Sequence, residues 1–246
     1  MTGNLNRKIC WTVTMVALVC MAGQARPGQA FTITEIGTSN GSPGGLPIYQ
    51  VSDLTAGDQF DIQLSAIGGA LLASGSIEVS GISTTGLLLE VEISNDSPPL
   101  GINGNPRITS FGLAVDPGIG SGTVSDATFL STFDMGNFPG FGNVEFCAGS
   151  GNNCAGGGSG GIIAGATDIF TLNLLWLGGP LATAPDSITL SQFAFKFQGG
   201  PDGASFQIPG EPGGAVPPAQ VPMPAAIAIV GLGLVALAAS RKMLSR

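Results

Sequence analysis

Two cysteines and a scatter of carboxylates are the side chains here that could do chemistry. Cys147 and Cys154 bracket the stretch Cys147-Ala-Gly-Ser-Gly-Asn-Asn-Cys154. A pair at this spacing either bridges or helps to hold a metal. Zinc takes four ligands, and two thiols are too few. The chain has no His, which removes the commonest metal ligand and the commonest general base. No metal site and no catalytic residue are assigned. In an exported protein the pair reads as a disulfide. It would close a small flexible loop and add about 2–3 kcal/mol.

Paired acids could hydrolyse glycosides if held across a cleft. The closest pairs are Asp58 with Asp61, Glu90 with Glu92, and Asp126 with Asp134. Glu90 and Glu92 are two apart in an alternating run, which puts both on the solvent face of a strand. Asp116 to Asp134 is the best mixed patch, but Asp116-Pro117-Gly118 reads first as a turn, as does Pro201-Asp202-Gly203. Solvated surface acids explain each pair more simply than a catalytic site. Nucleophilic chemistry finds no Gly-x-Ser-x-Gly elbow and no histidine to activate a serine. Gly156 to Gly161 lacks the lysine of a phosphate loop. No cofactor is assigned. Calcium remains on composition alone, since Asp and Asn oxygens are plentiful but no Asp-x-Asp-x-Asp-Gly loop exists to hold it.

The elements that would position these residues are strands. Phe60 to Leu64, Ile77 to Val79 and Leu89 to Ile93 alternate apolar and polar. Ile108 to Val115 is another candidate, and Ile169 to Leu177 is apolar enough to be central. Phe193, Phe195 and Phe197 alternate with Ala194 and Lys196, so three rings share one face. No stretch of the body shows a capped helical period. The chain has 40 Gly and 17 Pro yet is 43% hydrophobic. That composition is too apolar for disorder and fits short strands joined by turns. The fold class expected is all-β, a β-sandwich or jelly-roll of roughly eight strands. Residues 209–220 read as a mobile Pro/Gly linker.

All 16 acids lie between Glu35 and Glu211, where Arg107 and Lys196 are the only bases, so this span carries a net charge of −14. Such a body does not suit nucleic acid, which needs a basic patch.

The ends differ from the body. Arg7 and Lys8 precede an apolar run from Ile9 to Ala22, then small and turn-forming residues to Ala30. This is the order of a secretory signal peptide, 1–30. Gly28-Gln29-Ala30 supplies small residues at −3 and −1, so Phe31 is the expected mature N-terminus, with Ala25 a second cleavage point. An uncleaved anchor is the rival, but the run is shorter than the ~20 residues a spanning helix needs. At the other end every residue from Ala225 to Ala239 is apolar or Gly, followed by Arg241, Lys242 and Arg246. This reads as one transmembrane helix, 225–240, with the basic cluster as a cytoplasmic stop and the body across the inner membrane.

Val221-Pro222-Met223-Pro224-Ala225, the apolar stretch with Gly231-Leu232-Gly233-Leu234, and the basic cluster together resemble the PEP-CTERM sorting signal over residues 221–246. Met223 stands where the usual motif has Glu, so the match is to the Val-Pro-x-Pro-Ala variant. Pro222 and Pro224 keep the chain extended, as a protease cleft requires. The stretch FPGFGNVEFCAGSGNNCAGGG also resembles the subgroup sometimes called the cistern family. The resemblance implies an exosortase-type membrane protease as partner, an inner-membrane precursor, delivery to the cell surface or beyond, and a role with exopolysaccharide or biofilm.

The expected protein is therefore an exported, non-enzymatic surface or matrix protein with an ectodomain over 31–208. The alternative is a carbohydrate-binding module or glycan-active enzyme on the same sandwich. Exposed rings lining a groove would favour that alternative, because sugars stack on them. Trp176, the one Trp of the mature chain, lies in an apolar strand.

Overall fold

The computed structural model describes residues 31–40, 44–99, 105–136, 138, 141, 144–151, 153–155 and 160–215. These form an all-β structure. The strands are β1 (Thr32–Thr38), β2 (Pro47–Leu54), β3 (Gln59–Ala66), β4 (Leu71–Ile82), β5 (Gly86–Asn95), β6 (Arg107–Asp116), β7 (Ile119–Ser125), β8 (Thr132–Asp134), β9 (Phe146–Gly149), β10 (Ile162–Ile163), β11 (Thr167–Trp176), β12 (Ile188–Gln198), β13 (Phe206–Pro209) and β14 (Glu211–Ala215).

They make two antiparallel sheets. The first runs β1-β2-β12-β6-β9-β8, with β10 added beside β6 and β13 beside β12. The second runs β14-β3-β4-β5-β11-β7. One apolar core lies between them, drawn from both sheets: Phe111, Phe195 and Leu190 from the first, Phe60, Val91 and Leu172 from the second.

The alternation in the sequence explains the second sheet. In β5, Leu87, Leu89, Val91 and Ile93 are buried while Leu88, Glu90 and Glu92 are exposed. A two-residue period sends successive side chains to opposite faces, so one face meets the core and the other meets water. The same holds for β11, which is not a doubly buried central strand. It lies next to the edge strand β7, and Ile169 and Leu175 stand 56% and 46% exposed on its outer face.

The first sheet is buried on both faces around β12. Phe193, Phe195 and Phe197 point into the core, and Ala194 and Lys196 on the opposite face are buried as well. A second apolar cluster covers that outer face: Phe138, Phe141, Val144, Cys147, Cys154 and Ala194, with Ile48 against it. Gly112 permits the cover. A Cβ there would sit 2.7 Å from Val144 Cγ1 and 3.1 Å from Phe138 Cδ2.

Among the described residues the strands number fourteen against the roughly eight expected, because several are too short or too glycine-rich to show a period. The sheet also outlasts the expected ectodomain limit of 208. Residues 211–215, expected within a mobile linker, form β14 on β3 instead, with Glu211 opposite Gln63 and Pro212 opposite Ile62. Pro212 is buried and lies on a sheet edge, the position where a strand tolerates proline. Among the described residues no helix is long and apolar enough to cross a membrane. The expected signal peptide 1–30 and the segment 216–246 lie outside the described residues. The latter holds Val221 to Ala225, the expected helix 225–240, Arg241, Lys242 and Arg246.

Candidate functional site

The acids singled out in the sequence take up separate structural duties. Asp58 accepts hydrogen bonds from the Thr55 amide at 2.7 Å and the Thr55 hydroxyl at 2.9 Å, closing the β2–β3 turn. Glu90 and Glu92 face solvent on β5, and Glu90 stands directly opposite Glu78 of β4. Asp116 ends β6 before a cis peptide bond to Pro117. Asp126 accepts the Ser125 hydroxyl at 3.0 Å. Asp134, on β8, accepts the Cys154 amide at 3.2 Å. Among the described residues no three His, Cys, Asp or Glu side chains converge as a metal-holding group.

Two carboxylates with larger duties escaped the sequence. Asp168, 1% exposed, accepts the amides of Thr128 at 2.7 Å, Phe129 at 3.0 Å and Leu130 at 2.7 Å. It organises the turn after β7 from the start of β11. Glu145 accepts the Val115 amide at 3.1 Å and the Ile119 amide at 2.7 Å, bracing the β6–β7 turn. No local motif marks either residue, since their partners lie 26 to 40 residues away.

Cys147 and Cys154 form a disulfide with Cα atoms 5.5 Å apart. Both are buried in the outer cluster with Phe138 and Phe141, whose rings meet edge-on at 6.3 Å. The bridge therefore pins the chain that covers the first sheet, rather than merely closing a surface loop.

Beside that cover is a cleft of about 330 Å³, lined by Ile36, Gly37, Thr38, Asn40, Ile48, Phe141 and Gln192. Two irregularities shape it. Ile36 is the extra residue of a bulge in β1, between Glu35 opposite Tyr49 and Gly37 opposite Ile48. Gln192 lies in a register shift of β12 against β6, with φ of 58°. The side chains of Thr38, Asn40 and Gln192 make no hydrogen bond to a described residue.

The remaining polar candidates are structural. Tyr49 of β2 faces the Glu211 carboxylate of β14 where the two sheets meet. Burial, then the charges of Glu211 and Glu35, raise its pKa above the ordinary value. Lys196 is 7% exposed, and burial lowers its pKa. Trp176 is 2% exposed and donates its ring N–H to the Ser83 carbonyl at 2.9 Å. Among the described residues no aromatic ring is fully exposed.

No protein-family model, no curated protein and no solved structure matches this chain.

Proposed function

We propose that this chain is an exported surface or extracellular-matrix protein with a sorting tail that an exosortase-type membrane protease processes. In this reading residues 1–30 are a signal peptide. Residues 221–246 are the PEP-CTERM-like signal, with a transmembrane helix over 225–240 and Arg241, Lys242 and Arg246 as its basic stop. The body is a non-enzymatic sandwich associated with exopolysaccharide or biofilm.

The observation that carries the reading is the buried disulfide Cys147–Cys154. Such a bond persists in oxidising compartments and is rare where thiols are kept reduced. The start of the described sandwich supports it further. The first described strand begins at Thr32, two residues past Ala30, and Phe31 packs on Phe60 with ring centroids 5.8 Å apart. A chain cut after Ala30 keeps every described strand.

The alternative, a carbohydrate-binding module or glycan-active enzyme, divides on the cleft. A glycosidase needs two carboxylates facing one another across bound sugar, and the described residues lining the cleft include no acid. Its uncharged polar lining favours binding over hydrolysis.

The test is fractionation of a Gram-negative host that carries an exosortase. The full chain should reach the cell surface or medium, and a chain ending at Gln220 should lose surface delivery. Equal distribution of the two chains would remove the role of the tail.

A further inference from the structure

We infer that the cleft beside β1 binds a neutral, hydroxyl-rich ligand: one or two sugar units of an uncharged polysaccharide. This deepens the proposed association with exopolysaccharide and rests on that reading, but its test does not require export.

Around a body of net charge −14, none of the described residues lining the cleft is charged. An anionic ligand finds no base there, and a cation finds no carboxylate cage. What remains is the Thr38 hydroxyl and the Asn40 and Gln192 amides. Each offers both a donor and an acceptor, and none is used by a described residue. Between them lies Ile36, 46% exposed, with Ile48 beside it and the buried Phe141 behind. A pyranose matches this lining: its C–H faces suit apolar surface and its rim of hydroxyls suits amides.

Backbone geometry agrees. A non-glycine residue at positive φ is uncommon and strained, and such strain gathers at ligand sites. Gln192 holds that conformation, φ 58°, where β12 breaks register, and it is one of the residues lining the cleft. Bulges re-aim side chains in this way. The cleft is also built in advance. Phe141 sits in the buried cluster of the Cys147–Cys154 bridge, and a wall held before binding saves ordering entropy.

An extended peptide adding to the edge of β1 is the competing occupant. The bulge at Ile36 twists that edge and breaks its row of hydrogen-bonding groups. From the edge residues Ile36 to Asn40 the cleft also reaches inward, to Ile48 of β2 and Gln192 of β12.

The test is affinity electrophoresis of the full chain, in a detergent without a sugar headgroup. The gels contain dextran, galactomannan or mannan, with hyaluronan as the charged control and an unfolded casein as the extended-peptide competitor. At least one neutral polysaccharide should retard the protein. Asn40→Asp keeps the shape of an exposed side chain and removes its donors. Gln192→Asn keeps a residue tolerant of positive φ and shortens the reach. Each should weaken retardation about tenfold, the loss expected for a hydrogen-bonding group. Glu90→Gln, on the far sheet, should leave it unchanged. Absence of retardation by every neutral polysaccharide would overturn the proposal. So would retardation that both cleft variants retain, retardation by hyaluronan alone, or displacement by casein. Because the full chain is used directly, failure here leaves the export reading standing, and failed export leaves this result standing.

Discussion

The amide of Cys154 donates to the Asp134 carboxylate at 3.2 Å, so the second cysteine of the bridge is tied to β8 as well as to β9. The disulfide thus fastens the edge of the first sheet to the segment that covers its outer face. Both sulfur atoms belong to residues only 1% exposed.

Folded, oxidised protein that begins at Phe31 should resist thiol labels until it is reduced, even when unfolded. Reduction should cost about 2.5 kcal/mol, the loop-closure value for a bridge of this span. Urea denaturation with and without reductant measures the cost. Free labelling of the oxidised protein would show that no bridge exists.

Asp168→Ala should be among the most damaging single changes. It strips the buried acceptor from three backbone amides of the turn after β7. Charge-assisted hydrogen bonds and stranded donors together predict a loss of about 3 kcal/mol or more. The denaturation midpoint checks this. A change within about 0.5 kcal/mol, the range for ordinary surface positions, would contradict the role given to Asp168.

Ile67 predicts a gain. It lies between β3 and β4 with φ of 52° and is 37% exposed. A β-branched residue at positive φ is strained, and asparagine tolerates that region far better. Ile67→Asn should stabilise by about 1 kcal/mol, read as a higher melting temperature.

Lys196 predicts a pH-dependent gain. Burial disfavours its charged form, lowering its pKa from 10.5. Its register neighbours are Ser110 and Gln207, neither of which titrates near neutral pH. In the wild type the penalty is present at neutral pH and disappears as pH rises through the folded pKa toward the unfolded value. Lys196→Met should therefore stabilise by about 1 kcal/mol at neutral pH. The advantage should shrink as pH climbs toward 10.5. A gain that is constant across that window would assign the effect to packing alone.

The strands legible in the sequence are those with a clean two-residue period. Leu89 to Ile93 and the three phenylalanines of β12 lie on the faces their alternation predicts. Those it hid have physical reasons. β7 reads IGSGTVS, and its Gly122 is small because the Phe133 ring fills the place of a side chain, 2.7 Å from where a Cβ would stand. β14 looked like linker because Pro212 and two glycines suppress any period, yet an edge strand accepts them. The cleft was invisible for another reason. Thr38, Asn40, Phe141 and Gln192 share no motif, and only two register breaks bring them together.

The central claim is export with removal of both ends, and the intact mass of the protein recovered from the cell surface or medium tests it most directly. The expected chain begins at Phe31 and lacks Arg241 to Arg246. A recovered mass that still includes residues 1–30 or the basic tail would contradict it.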